Sequence, residues 1–177
     1  MIILIVIAIL LIIVLTLYNN LVKAKNRVKQ AESGIDVYLN QRFDLIPNLV
    51  ECVKAYSKHE QSIFTEVTNL RSAYMKQPRN IKNAENLNNK MNQLVAVAEN
   101  YPDLKASTNF TQLSDELSGT ENRIAVARRD YNDAVKTYNL SIKQFPNSIL
   151  AGMFGFDTAT YFEASESSKD VPNVSLE

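Results

Sequence analysis

His59 and Cys52 are the only histidine and the only cysteine in 177 residues. They are the side chains most able to act as a base and a nucleophile near neutral pH. On one helix, their seven-residue spacing is two turns, about 10 Å along the axis. That is too far for a direct thiolate–imidazole pair. His59-Glu60 could open a zinc motif, but no second histidine exists to complete it. Both residues fall on an apolar stripe, where a histidine reads as a hydrogen-bonded core residue and a cysteine as a small buried hydrophobe. Asp115, Glu116 and Glu121 read as solvated or salt-bridged, the last with Arg128, and Arg128 and Arg129 suit acids on a neighbouring helix. No glycine-rich phosphate loop occurs. The expectation is no enzyme site, no cofactor, no metal and no small-molecule substrate. A pocket holding His59 beside two carboxylates would reverse it.

The tyrosines form a second pattern. Tyr131-Asn132 and Tyr138-Asn139 lie one heptad apart, and Tyr18-Asn19 repeats the pair. Either these are core aromatics whose hydroxyls reach a helix edge, or they form a recognition surface between subunits. The apolar run Ile149-Leu-Ala-Gly-Met-Phe-Gly-Phe156 raises a similar choice. It folds back over the end of a bundle, or it docks on the membrane or a neighbouring subunit. On the assembly reading, Tyr131, Asn132, Tyr138, Asn139, Met153, Phe154 and Phe156 are the self-association residues.

The elements that must position these residues are helical throughout. Apolar or small residues recur at three-and-four spacing in four series, and no run alternates with period two long enough for a convincing strand. The first is Leu21, Ala24, Val28, Ala31, Ile35, Tyr38. The second is Leu45, Leu49, Cys52, Tyr56, His59, Ile63, Val67, Leu70, Tyr74. Asp44 can cap the second, with Pro47 in its first turn; alternatively Pro47 kinks one continuous helix. The third is Ala84, Leu87, Met91, Leu94, Ala98, ending near Pro102. The fourth runs from Phe110 through Leu113, Leu117, Thr120, Ile124, Ala127, Tyr131 and Ala134 to Tyr138, with Ile142 and Phe145 close to the stripe and Pro146 as its stop. Breaks are expected near residues 42–47, 76–82 and 100–107. Helices with one apolar stripe bury it against each other. The fold class is therefore all-α, an N-terminal transmembrane helix continuous with an elongated antiparallel bundle of about four long helices.

Met1 to Leu17 is apolar except for Thr16. As a helix it spans about 25 Å, against a bilayer core of about 30 Å. Tyr18 falls at the interfacial position. A secretory signal would need preceding bases and a small-residue cleavage site, and Thr-Leu-Tyr-Asn-Asn follows instead. Lys23, Lys25, Arg27 and Lys29 then form a basic collar. Positive flanks stay cytoplasmic, so the expected topology is N-terminus outside and residues 23–177 inside, the collar facing anionic inner-leaflet lipid. A periplasmic domain is the alternative. One cysteine excludes an internal disulfide, so nothing marks the domain as extracellular. Lys plus Arg and Asp plus Glu both number 19, which argues against nucleic acid as partner. The expected division is residues 1–18 anchor, 19–162 helical domain and 163–177 acidic tail.

Several ordered motifs together resemble the LemA family of bacterial membrane proteins. They are Tyr18-Asn-Asn-Leu-Val22; Arg42-Phe-Asp-Leu-Ile-Pro-Asn-Leu-Val50; Ala98-Glu-Asn-Tyr-Pro-Asp-Leu-Lys-Ala106; Gly119-Thr-Glu-Asn-Arg-Ile-Ala-Val-Ala-Arg128; Tyr131-Asn-Asp-Ala-Val135; Tyr138-Asn139; Phe145-Pro146; and Gly155-Phe156. Cys52 departs from the pattern, which carries a hydroxyl or small residue there. The resemblance implies a single-pass plasma-membrane protein, N-out and C-in, with an antiparallel helical domain and links to envelope processes and membrane shaping. It brings no catalytic residue. The functional expectation is a non-enzymatic scaffold at the cytoplasmic face of the membrane, a homo-oligomer that organises or shapes membrane. The alternative is a regulatory adaptor for one envelope protein.

Overall fold

The structure, a computed structural model, describes residues 1–57, 61–77, 81–98 and 100–162. His59 and the acidic tail therefore lie outside the described residues. Within the described residues there are seven helices and no strand: α1 Ile2–Asp44, α2 Ile46–Lys54, α3 Gln61–Lys76, α4 Ile81–Ala98, α5 Pro102–Lys105, α6 Thr108–Lys143 and α7 Asn147–Phe154. The chain divides into two compact units. One comprises Met1–Glu32 with Arg128–Glu177, the other Ser33–Ala127. Helix α1 runs unbroken from the apolar stretch through residue 44, so anchor and first domain helix are one element.

The unit of Ser33–Ala127 has its own core. Phe43, Ile46, Leu49, Val53, Phe64, Val67, Tyr74, Leu87, Met91, Leu94 and Leu104 meet in it. All five members of the third apolar series, Ala84 to Ala98, are buried, as three-and-four spacing demands of a core-facing stripe. Tyr74 meets Phe43 edge to face, centroids 4.7 Å apart. Ser107 caps α6, its Oγ accepting from the Phe110 amide at 3.2 Å. Tyr101, at φ −120° and ψ 89°, lies outside the helical region, which a following proline disfavours.

Two helix boundaries differ from expectation. Asp44 does not cap α2: the N-cap is Leu45, itself helical at φ −78° and ψ −15°, with no side-chain cap bond. The break is of the proline-kink kind. Pro47 has no N–H to give the Phe43 carbonyl, and Arg71 supplies the missing donor, its Nε reaching that carbonyl at 3.0 Å. The second terminal nitrogen of Arg71 holds Asp44 at 3.0 Å. Asp44 thus serves the end of α1.

The second difference is at Ala55–Ser57, where the second apolar series is interrupted and α2 ends. Tyr56 is exposed, and buried Ser57 donates its hydroxyl to the Tyr101 oxygen at 3.0 Å. Ser57-Lys-His-Glu60 has the spacing of a capping box, a helix-start signal inside a stripe that reads as continuous.

In the other unit, the α1 residues Leu21 and Val28 share a core with Ala134, Val135, Tyr138 and Ile142 of α6 and Leu150 and Ala151 of α7. The fourth series thus buries most of its stripe along α6, with Tyr131 half-buried and Phe145, beyond the helix end, 82 % exposed. Gly155, at φ 67°, stops α7, and the Phe156 amide returns to the Ala151 carbonyl at 2.9 Å.

Candidate functional site

Helix α6 presents Tyr131, Asn132, Tyr138 and Asn139 to the irregular segment that follows α7, and each side chain takes hold of main chain there. Asn139 brackets residue 159: its Nδ2 donates to the Ala159 carbonyl at 2.8 Å and its Oδ1 accepts from the Ala159 amide at 2.8 Å. Asn132 does the same at Phe162, at 3.0 Å and 2.8 Å. The Tyr138 hydroxyl donates to the Asp157 carbonyl at 2.8 Å, and the Tyr131 hydroxyl to the Thr160 carbonyl at 3.0 Å. The four form a ladder that straps residues 157–162 to α6. An amide side chain is suited to this because it offers a donor and an acceptor in one plane, as a peptide group does.

The electrostatics follow from burial. Desolvation, then the charge of Asp157, raises the Tyr138 pKa above its ordinary value. Desolvation, then Glu32, does the same at Tyr131. Both hydroxyls therefore stay protonated, as donors to carbonyls must. Arg128 stacks over the Phe162 ring, 4.5 Å to the centroid, and closes the strap's far end.

The aromatic cluster near the anchor is a separate part of the same unit. The Tyr18 ring meets Phe154 at 5.0 Å and Phe156 at 5.8 Å, both edge to face. Lys25 lies 5.4 Å from the Phe156 centroid. Lys23, Arg27 and Lys29 are exposed with it. Met153 is 73 % exposed. Tyr18-Asn19 thus has a different job from the two pairs on α6.

Elsewhere the structure distributes the sequence candidates. Cys52 is half-buried against the core of the Ser33–Ala127 unit. Glu121 pairs with Arg42, which is buried and also donates to Asn92 at 3.2 Å. Beside them is an open hollow of about 290 Å³, lined by Met91, Ser114 and Leu117 among others. Arg129 approaches Asp130 at 3.9 Å on the surface. Among the described residues, no three His, Cys, Asp or Glu side chains come together as metal ligands would. Sequence reasoning missed the strap itself, because its contacts are main-chain atoms that any residue supplies. The Arg71 helix-end contact was missed too; the proline four residues beyond Phe43 was the available signal.

One helix long and apolar enough to cross a membrane, its apolar window unburied, rises from an all-helical domain. These features define a membrane-associated helical protein. The LemA family matches residues 31–176, and the chain belongs to it. It is 27 % identical to magnetosome protein MamQ 2 of Paramagnetospirillum magneticum over 175 residues, covering 82 % of this chain and 64 % of that one. Identity to magnetosome protein MamQ of Magnetospirillum gryphiswaldense is 25 %, with the same coverage. Protein LemA of Metamycoplasma hominis is 25 % identical over 152 residues, covering 84 % of this chain and 69 % of that one. The chain thus spans somewhat under two thirds of the length of the MamQ relatives.

Proposed function

We propose that this protein is a non-enzymatic scaffold mounted on the cytoplasmic face of the bacterial plasma membrane, which self-associates and organises membrane or envelope proteins. The observation that carries the reading is the continuity of α1. Leu21, three residues beyond Tyr18, is fully buried in the domain core, so no slack separates the apolar anchor from the first packed layer. A domain mounted without a linker keeps one orientation to the bilayer, which makes lateral contacts between copies geometrically regular. The exposed Lys23–Lys29 collar supports the cytoplasmic side and suits anionic lipid. The names of the MamQ relatives place those proteins in magnetosomes, which supports a role within a larger structure here too.

The test is particle size in mild detergent, paired with crosslinking in native membranes. Large or graded assemblies are expected. A strictly monomeric protein across a concentration series, monomeric also in membranes, removes self-association and leaves the adaptor for one envelope protein.

A further inference from the structure

We propose that α7 and the Phe145 corner before it form a second membrane contact, inserting into the lipid interface beside the base of the anchor. The proposal rests on the anchor spanning the bilayer and is independent of self-association.

The first observation is composition. From Gln144 to Phe156 there is no charged side chain, and α7 is apolar on more than one face. Leu150 and Ala151 are buried against the core shared with Leu21. That leaves Ile149 at 56 %, Met153 at 73 % and Phe154 at 53 % exposed, with Phe145 at 82 %. A helix that buries one apolar face and leaves further large apolar side chains exposed calls for an apolar surrounding on that side too, and large residues grouped in this way mark an interaction surface.

The second observation fixes which surrounding. Tyr18 closes the apolar run of α1, and its ring contacts Phe154 at 5.0 Å and Phe156 at 5.8 Å. Helix α7 therefore sits at the level where the anchor leaves the hydrocarbon. Charge agrees: Lys25 lies over the Phe156 ring, and Lys23 and Lys143 are exposed in the same unit. Bases beside an apolar helix are the signature of interfacial binding, in which the apolar face sinks about 5–10 Å below the headgroups. A lipid surface, continuous with the one the anchor already occupies, covers the exposed face.

The chain has no tryptophan, so single tryptophans report without background. Met153→Trp, Ile149→Trp and Ile9→Trp are made separately in the full chain and placed in phosphatidylcholine–phosphatidylglycerol vesicles, with and without brominated lipid. Residue 9 reports the anchor. The expected result is quenching by brominated lipid at residues 153 and 149 at roughly half the strength at residue 9 or more, with protection from aqueous acrylamide. Acrylamide quenching at 153 and 149 while residue 9 is lipid-quenched overturns the proposal. So does protection from both quenchers, which places a protein partner on the helix. Absence of lipid quenching at residue 9 itself overturns the anchor and the proposal together, whereas monomeric protein leaves both standing.

Discussion

Asn139 holds Ala159 by both of its main-chain polar groups, one donated bond and one accepted bond of 2.8 Å each. The side chain behaves as a peptide unit that α6 lends to the strap. Asn139→Ala removes both bonds, worth about 1–3 kcal/mol together. The expected outcome is amide exchange at residues 157–162 faster by roughly ten- to a hundred-fold, with protection in the Ser33–Ala127 unit unchanged. Asn139→Asp keeps the acceptor and loses the donor, and should fall between. Hydrogen exchange with fragment resolution checks both. Equal protection in wild type and Asn139→Ala would show that the strap stays put by other means.

The strap should also be alkali-sensitive. The folded-state pKa of Tyr138 and of Tyr131 is raised above the ordinary 10.0. A raised pKa favours the protonated form in the fold, so this stabilisation is fully present below pH 10.0 and is lost as pH climbs through the folded value. Denaturant melts at stepped pH should therefore fall off above pH 10.0 more steeply for wild type than for Tyr131→Phe/Tyr138→Phe. The double variant should itself be less stable at neutral pH, having lost two hydrogen bonds, by about 1–3 kcal/mol.

Arg71 replaces a donor that Pro47 cannot give. Arg71→Met leaves the Phe43 carbonyl without its partner, and an orphaned backbone acceptor costs about 1–3 kcal/mol. Pro47→Ala in that background restores an N–H in the helical register and should recover part of the loss. Chemical denaturation of the four proteins of that cycle checks it, with additivity as the adverse result.

Tyr74 offers the opposite case. Its hydroxyl is buried and finds no hydrogen-bond partner among the described residues, and burial, then Asp36, raises its pKa. Tyr74→Phe keeps the ring on Phe43 and should be neutral or stabilising. Tyr74→Ala opens a cavity and should cost about 3–5 kcal/mol. Thermal melts of the pair separate ring from hydroxyl.

Topology has its own test. In a Cys52→Ser background, Gln77→Cys sits at an exposed helix end and should resist membrane-impermeant thiol reagents in intact cells. Ready labelling would put the domain on the outer face.

Periodicity made the helices legible because a core-facing stripe is a local pattern: Ala84 to Ala98 and Phe110 to Leu117 are buried residue for residue. The failures share a cause. The stop at Ala55–Ser57 depends on Ser57 reaching Tyr101, 44 residues away. The Asp44 contact depends on Arg71, 27 residues on. Pro47 and the Ser57-Lys-His-Glu60 spacing mark the two helix ends locally, but neither names the distant partner that completes the contact. The Tyr-Asn pairs were visible as a repeat, yet their partners are carbonyls and amides, which are present at nearly every residue and so distinguish none.

The ladder also works as a pair of matched rulers. Asn132 and Asn139 are seven residues apart on α6, about 10.5 Å at ~1.5 Å per residue. Their partners Phe162 and Ala159 are three residues apart, about 10 Å for chain close to full extension. The tyrosines keep the same gearing, since Tyr131 and Tyr138 take Thr160 and Asp157. Seven helical residues thus count against three strap residues, running in opposite directions. A single-residue insertion between 159 and 162 would leave one rung seated and throw the other out of step, while an added heptad could be matched only by three added strap residues. The next step of the series falls on Phe145-Pro146, where α6 has ended, and against residues 154 and 156, the first of them already in α7. The ladder stops where its helical ruler runs out.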